Sequence, residues 1–258
     1  MTAPIDLVTR YRTLESDASA FAEARPYRHI VIDNFLDEHV ARHAARNFPS
    51  FEAMHIQFAG LVEKRAIERR MDAVDPVFGE IFDTLRSRPF VSYVEALTGI
   101  SQLEPDSTWT TGGIHQSRNG SYHNVHADQN RHGITGLFQR VNLLLYLNEE
   151  WDPSWGGALE LWDDQMTRCV EAVQPVFNRL VIIEIHDRAY HGYPALRMPP
   201  EVTRKSLAIW YFSEVAGQLQ APERHEVLFQ LRPGDSFAVR VKHHVRKLKP
   251  LIKTLTKR

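Results

Sequence analysis

The stretch His123-Asn124-Val125-His126-Ala127-Asp128, with the apolar run Val141-Asn142-Leu143-Leu144-Leu145-Tyr146-Leu147-Asn148 that follows it, decides how this chain is read. In an extended segment side chains alternate faces, so residues two apart project together. His126 and Asp128 therefore share a face, an imidazole beside a carboxylate. That is two thirds of a facial two-histidine, one-carboxylate metal site, a type that leaves other positions on the ion open. A bare His-x-Asp is short enough to arise by chance, so its weight rests on what lies around it. His123 stands an odd number of positions from His126. It is expected to face away in a regular strand, and is kept as a group that could stand behind the metal ligands.

Outward from this stretch the texture is that of a β-rich core. Strand-like runs at 107–111, 121–128, 139–148, 158–162, 168–173, 179–186 and 205–213 alternate with turn signals. Gly112-Gly113, Asn119-Gly120, Asp152-Pro153 and Gly156-Gly157 are the punctuation, the last read simply as a hairpin requirement. Strands at such spacing predict a sandwich or jelly roll rather than βαβ units.

Upstream, residues 6–24 are helix-compatible, and Tyr27 to Leu36 reads as a strand. Asp37 is placed to cap a helix over 38–48. The charge cluster Glu63-Lys64-Arg65 and Glu68-Arg69-Arg70 reads as a solvated helix face. Pro76 opens a helix over about 77–98, with Phe78, Ile81, Phe82, Leu85, Phe90, Val94 and Leu97 as its apolar stripe and Gly99 as its end. These helices are expected to pack on one outer face of the sheet pair. Downstream, 223–231 reads as one more strand and Pro233-Gly234-Asp235 as a turn. Residues 240–258 carry eight basic side chains with an apolar side, a solvated surface helix interrupted at Pro250, the minority reading being adhesion to an anionic membrane surface.

The whole is expected to be α+β, mainly β, in one domain over 1–258. Helical support spans about 1–100, the β core about 101–215 and a basic extension about 216–258. At 258 residues, 43% hydrophobic and 24% charged, the chain can bury a sizeable core. A net charge of -1 gives no pull toward nucleic acid. One cysteine, Cys169, excludes a disulfide framework and points to a reducing compartment. With no secretory leader pattern and no apolar run of membrane-spanning length, the expectation is a cytoplasmic protein.

The third metal ligand must come from a distant strand. His191 is the candidate, following the apolar strand that begins at Leu180. Thirteen positions on, Arg204-Lys205-Ser206 opens another apolar strand, with Arg204 and Ser206 on one face. An arginine buried there needs an anionic partner, and its planar fork fits a carboxylate at two points. Ser206 adds a hydroxyl donor to the same group. Three ligands for Fe(II), followed by a cationic fork, match what a 2-oxoglutarate-dependent iron oxygenase needs.

The pattern resembles the prolyl-4-hydroxylase-like branch of the Fe(II)/2-oxoglutarate dioxygenases, including the group that hydroxylates a ribosomal-protein proline. The similarity runs from about Ile30 to Phe212. It is densest over 143–162 and continues through Asn178-Arg179-Leu180-Val181, Tyr190-His191-Gly192 and Arg204-Lys205-Ser206-Leu207. The resemblance implies a double-stranded β-helix with His126, Asp128 and His191 on iron. It implies Arg204 as the 2-oxoglutarate anchor and Tyr146 as a hydroxyl donor to the same carboxylate. Asn142 shares a strand face with Leu144 and Tyr146 and is a second candidate for that pocket. The implied cofactors are Fe(II), 2-oxoglutarate and O2, with ascorbate as the reductant in vitro.

An acid at 128 favours hydroxylation over halogenation, because related halogenases vacate that position for chloride. The segment 129–138 looks longer than in the ribosomal-protein group, and a single domain is expected, without the second oxygenase-like domain that the resemblance would imply. Both departures favour a small-molecule substrate (an amino acid, sugar or secondary metabolite) over the alternative, a protein prolyl residue. A non-catalytic metal- or 2-oxoglutarate-binding barrel is the third reading. Trp109 and Trp210 are the tryptophans singled out for substrate contact.

Overall fold

The structure, a computed structural model, describes residues 3–236 and 240–241. The basic extension from 242 onward therefore lies outside the described residues. Two short helices, α1 (Leu7–Arg12) and α2 (Leu14–Glu23), lead into strand β1 (His29–Ile32), shorter than the strand expected over 27–36. Helix α3 (Glu38–Arg46) begins where Asp37 accepts hydrogen bonds from the backbone N–H groups of His39 and Val40 at 2.9 and 3.3 Å. The single helix expected over 77–98 is two, α4 (Pro76–Arg86) and α5 (Arg88–Thr98). Ser87 between them has extended backbone, and its hydroxyl caps the second helix. Gly99 ends α5 in the left-handed region at φ 69°.

The charged cluster at 63–70 is not a helix face. Strands β2 (Ile56–Ala59) and β3 (Glu63–Glu68) form an antiparallel hairpin there. The helical reading failed because four of the six residues of β3 are charged, one of them, Glu68, buried beside Ala66 and Ile67. Glu68 is buried and accepts from the backbone N–H groups of His55, Arg69 and Arg70 and from the Arg70 guanidinium, all at 2.7–3.0 Å. The Arg70 contact and these backbone donors lower its pKa from 4.5 to about 2. A carboxylate depressed by folding stabilises the protein above its unfolded pKa, and that stability is lost as pH falls through the folded value. Glu68→Gln is therefore expected to reduce unfolding free energy by about 2 kcal/mol at pH 7. The gap from wild type should close between about pH 4.5 and 2 in urea titrations.

The remaining strands are β4 (Glu104–Pro105), β5 (Gly113–Ser117), β6 (Tyr122–Ala127), β7 (Phe138–Tyr146), β8 (Leu159–Trp162), β9 (Cys169–Val173), β10 (Arg179–Glu184), β11 (His191–Tyr193), β12 (Arg204–Ser213) and β13 (Leu228–Phe229). Residues 107–111 turn rather than extend, and the strand begins at Gly113. The strand expected over 223–231 is only the two residues of β13.

The strands join in one mainly antiparallel sheet that curls into a nearly closed jelly-roll barrel. Its path is β1-β10-β7-β12-β5-β3-β6-β11-β8-β9. Strand β3 is the bridge, pairing with β5 on one side and β6 on the other. Period-two alternation then sorts the side chains. Val141, Leu143 and Leu145 of β7, Leu180 and Ile182 of β10 and Leu207, Ile209 and Tyr211 of β12 join one core with Phe78, Ile81, Phe82, Phe90, Val94 and Leu97 of the helices. The helices thus cover the outer face, as expected. Asn142, Leu144 and Tyr146 of β7 and Arg204, Ser206 and Trp210 of β12 face the barrel interior. No helix among the described residues is long and apolar enough to cross a membrane.

Candidate active site

Strands β6 and β11 are antiparallel neighbours, and His126 and His191 are direct register partners. Asp128 follows one residue past the end of β6. The three side chains converge, with one donor atom from each within 4.8 Å of the others. The His126 Nε2 to Asp128 Oδ1 distance is 3.4 Å, and all three residues are buried. His126 Nδ1 lies 2.9 Å from the Asn124 carbonyl and His191 Nδ1 lies 2.9 Å from the Ala189 carbonyl. A carbonyl only accepts, so both Nδ1 atoms carry the proton and both Nε2 lone pairs face the centre. Burial and the neighbouring His126 push the His191 pKa down to about 4, so at neutral pH its lone pair is free for a cation. Burial opposes the charge on Asp128, but the Trp210 indole N–H that donates to it favours the ionised form, and its pKa lies well below the carboxylate range. Two imidazole nitrogens and one ionised oxygen on three adjacent positions suit a divalent ion of the Fe(II) type.

The close approach of the two strands depends on Gly192. A Cβ there would stand 2.7 Å from the His123 carbonyl and 2.9 Å from that of Asn124. The register also slips between His191 and Tyr193, which pair with His126 and His123. That irregularity corrects the expectation that His123 faces away: its ring centroid is 4.1 Å from that of His126. Its imidazole, held neutral chiefly by burial, lies 3.5 Å from Glu63.

The anchor lies across the interior. Arg204 is buried; its Nε donates to the Gly157 carbonyl at 2.8 Å and its Nη2 to the Tyr146 hydroxyl at 3.3 Å. The guanidinium stacks against Tyr146 and Tyr193 at 4.8 and 4.4 Å. Among the described residues no carboxylate is paired with it, although a buried guanidinium calls for an anion. Ser206 is the register partner of Tyr146 and faces the same cavity, as does Asn142, whose buried Oδ1 has no hydrogen-bond partner there. Gly157 is more than the hairpin residue it looked like. Its φ is 75°, and a Cβ would stand 2.6 Å from Leu196 and 2.9 Å from Trp151.

The cavity holding these groups measures about 70 Å³. It adjoins a half-open hollow of about 210 Å³ bordered by Val62, Glu63, Arg65, Glu226, Val227 and Phe229. Arg65, His123, His126 and Asp128 line both. The Arg65 guanidinium is held by Glu63 at 2.9 Å and by His115 Nδ1 at 3.0 Å. Phe229 of β13 is the register partner of His126, at 5.3 Å between rings. Trp210 donates to Asp128 at 2.9 Å, whereas Trp109 lies away from the cavity, under the Arg86 guanidinium and edge-on to Phe82. The 129–138 segment lines neither hollow. Asn130 instead holds the backbone of Ala221, Glu223 and His225, the run that leads into β13.

The family model of the 2OG-Fe(II) oxygenase superfamily matches residues 112–212, the span from β5 through most of β12. That matched span is 101 of the 258 residues. Oxygenases of this superfamily take their name from Fe(II) and 2-oxoglutarate. Over 108 residues the chain is 25% identical to mouse prolyl 3-hydroxylase OGFOD1, a match covering 36% of this chain and about a fifth (20%) of that protein. The fold is similar to that of a Trichoplax adhaerens prolyl hydroxylase solved with a hypoxia-inducible-factor peptide, at a TM-score of 0.57 and 18% identity over 81% of this chain and 92% of that one. It is also similar to SnoN, a non-haem epimerase from nogalamycin biosynthesis, at 0.53 and 12% over 79% and 83%.

Proposed function

We propose that this oxygenase hydroxylates an unactivated C–H bond of a small molecule, consuming 2-oxoglutarate and O2 and releasing succinate and CO2. The observation that carries this reading is the pairing, in one cavity, of three converging donors with a buried guanidinium that has no acid of its own among the described residues. His126, Asp128 and His191 would hold Fe(II). Arg204 and Tyr146 would hold the far carboxylate of 2-oxoglutarate, Tyr146 as a phenol that burial keeps protonated. Ser206 and Asn142 complete the polar wall. Bound Fe(II) with its co-substrates supplies the oxidising power. The protein orients the groups and, with Leu144, Leu159 and Trp210, limits water around them.

The substrate would enter through the outer hollow, whose volume of about 210 Å³ suits an amino acid, a sugar or a compact metabolite. A second reading, a prolyl residue presented by a protein, is supported by the half-open hollow and by the mouse relative's name. Succinate formation by the purified protein with Fe(II), ascorbate and 2-oxoglutarate tests the reaction class. Panels of small molecules and of proline-containing peptides, scored by stimulated turnover, separate the two substrates. Iron binding without any 2-oxoglutarate consumption would instead leave a non-catalytic barrel.

A further inference from the structure

Asp128 uses its two oxygens differently. Oδ1 stands 3.4 Å from His126 Nε2, inside the triad. Oδ2 is turned away and accepts from Trp210 Nε1 at 2.9 Å and from Gln139 Nε2 at 3.1 Å. Both donors sit on β12 and β7, where Phe212 and Gln139 are register partners, and so reach Asp128 from the far half of the sheet. Two donors fill the acceptor positions of one carboxylate oxygen. An indole N–H can only donate, so the contact has a fixed direction. The amide of Gln139 has one as well, because Oδ2 needs its nitrogen. That orientation leaves Gln139 Oε1 buried with no partner among the described residues. A buried unpaired acceptor is costly, and the amide bears this to keep its nitrogen on Asp128.

We propose that Gln139 and Trp210 are positioning residues that confine Asp128 to binding the metal through one oxygen. The inference rests on the functional reading above. Two imidazole nitrogens and one carboxylate oxygen occupy three of six positions on an octahedral ion. A keto acid chelating through two atoms fills two more, and one remains for O2. If Asp128 bound through both oxygens, that last position would close. The two donors hold it open by occupying the oxygen that would take it.

The test uses Mn(II) as the probe and needs no substrate. Water-proton relaxation per bound Mn(II) is measured without 2-oxoglutarate for wild type, Gln139→Leu, Trp210→Phe and the pair. The Mn(II) dissociation constant is measured alongside. In the pair the number of metal-bound waters is expected to fall from three to two, a loss of about a third, with affinity equal or tighter because a second oxygen joins. Each single variant should move part of the way, so they decide the matter if the pair does not fold. Weaker Mn(II) binding with an unchanged water count would show a merely structural role and overturn the proposal. So would wild-type relaxation in all three variants. A wild type that binds no Mn(II) would remove the functional reading as well, which separates the two failures.

Discussion

Alanine at His126, Asp128 or His191 is expected to lower Fe(II)-dependent succinate formation by about a thousandfold or more, some 4 kcal/mol of barrier. The three positions should not behave alike in the metal-free protein. Each histidine is anchored by its own Nδ1–H to a carbonyl within two residues, so its loss removes one lone pair and leaves the strand pairing intact. Loss of Asp128 removes the one negative charge in the triad and leaves the donors of Trp210 and Gln139 buried without a partner. Asp128→Ala should therefore melt below wild type even without metal, and all three variants should lose the stabilisation that added metal gives wild type. Metal content by elemental analysis, succinate yield and melting curves check all three. Turnover that survives these changes would end the assignment of the centre.

Arg204→Met is expected to raise the KM for 2-oxoglutarate about a hundredfold, roughly 3 kcal/mol, while leaving Mn(II) affinity within a fewfold of wild type. Methionine keeps much of the apolar stem between Tyr146 and Tyr193 and deletes the fork. The metal-free variant should also be more stable than wild type, because a buried guanidinium with no acid beside it among the described residues is an uncompensated charge. Added 2-oxoglutarate should stabilise wild type strongly and the variant little, since a ligand stabilises only the form that binds it. Thermal melts with and without 2-oxoglutarate separate this from a packing defect, which would lower both curves together.

What could be read in the sequence was whatever depends on period-two alternation. The pairing of His126 with Asp128 on one face, the interior placement of Asn142, Leu144 and Tyr146, and the joint orientation of Arg204 and Ser206 all follow from it. What escaped depends on departures from regularity or on contacts between distant segments. His123 reaches the centre only because the register slips opposite Tyr193. Arg65 and Glu63 were hidden because a strand whose interior positions carry charges has no apolar signature. Gly157 and Tyr193, which hold Arg204, carry no local mark of it, since their partner lies 47 and 11 residues away in the chain. The split between α4 and α5 left the apolar spacing undisturbed, so periodicity alone passed over it.

The histidine pair belongs to the half of the sheet beyond β3, and Arg204 to the half before it. In the proposed binding mode, the gap between those halves would act as a ruler laid along the co-substrate. One end is fixed by the backbone contact at Gly192 and the other by the carbonyl of Gly157, so neither jaw yields easily. A keto diacid one methylene longer would have to buckle between them, and one shorter would lose its grip on one end. Discrimination among such acids would then come from the spacing of the main chain rather than from any single side chain.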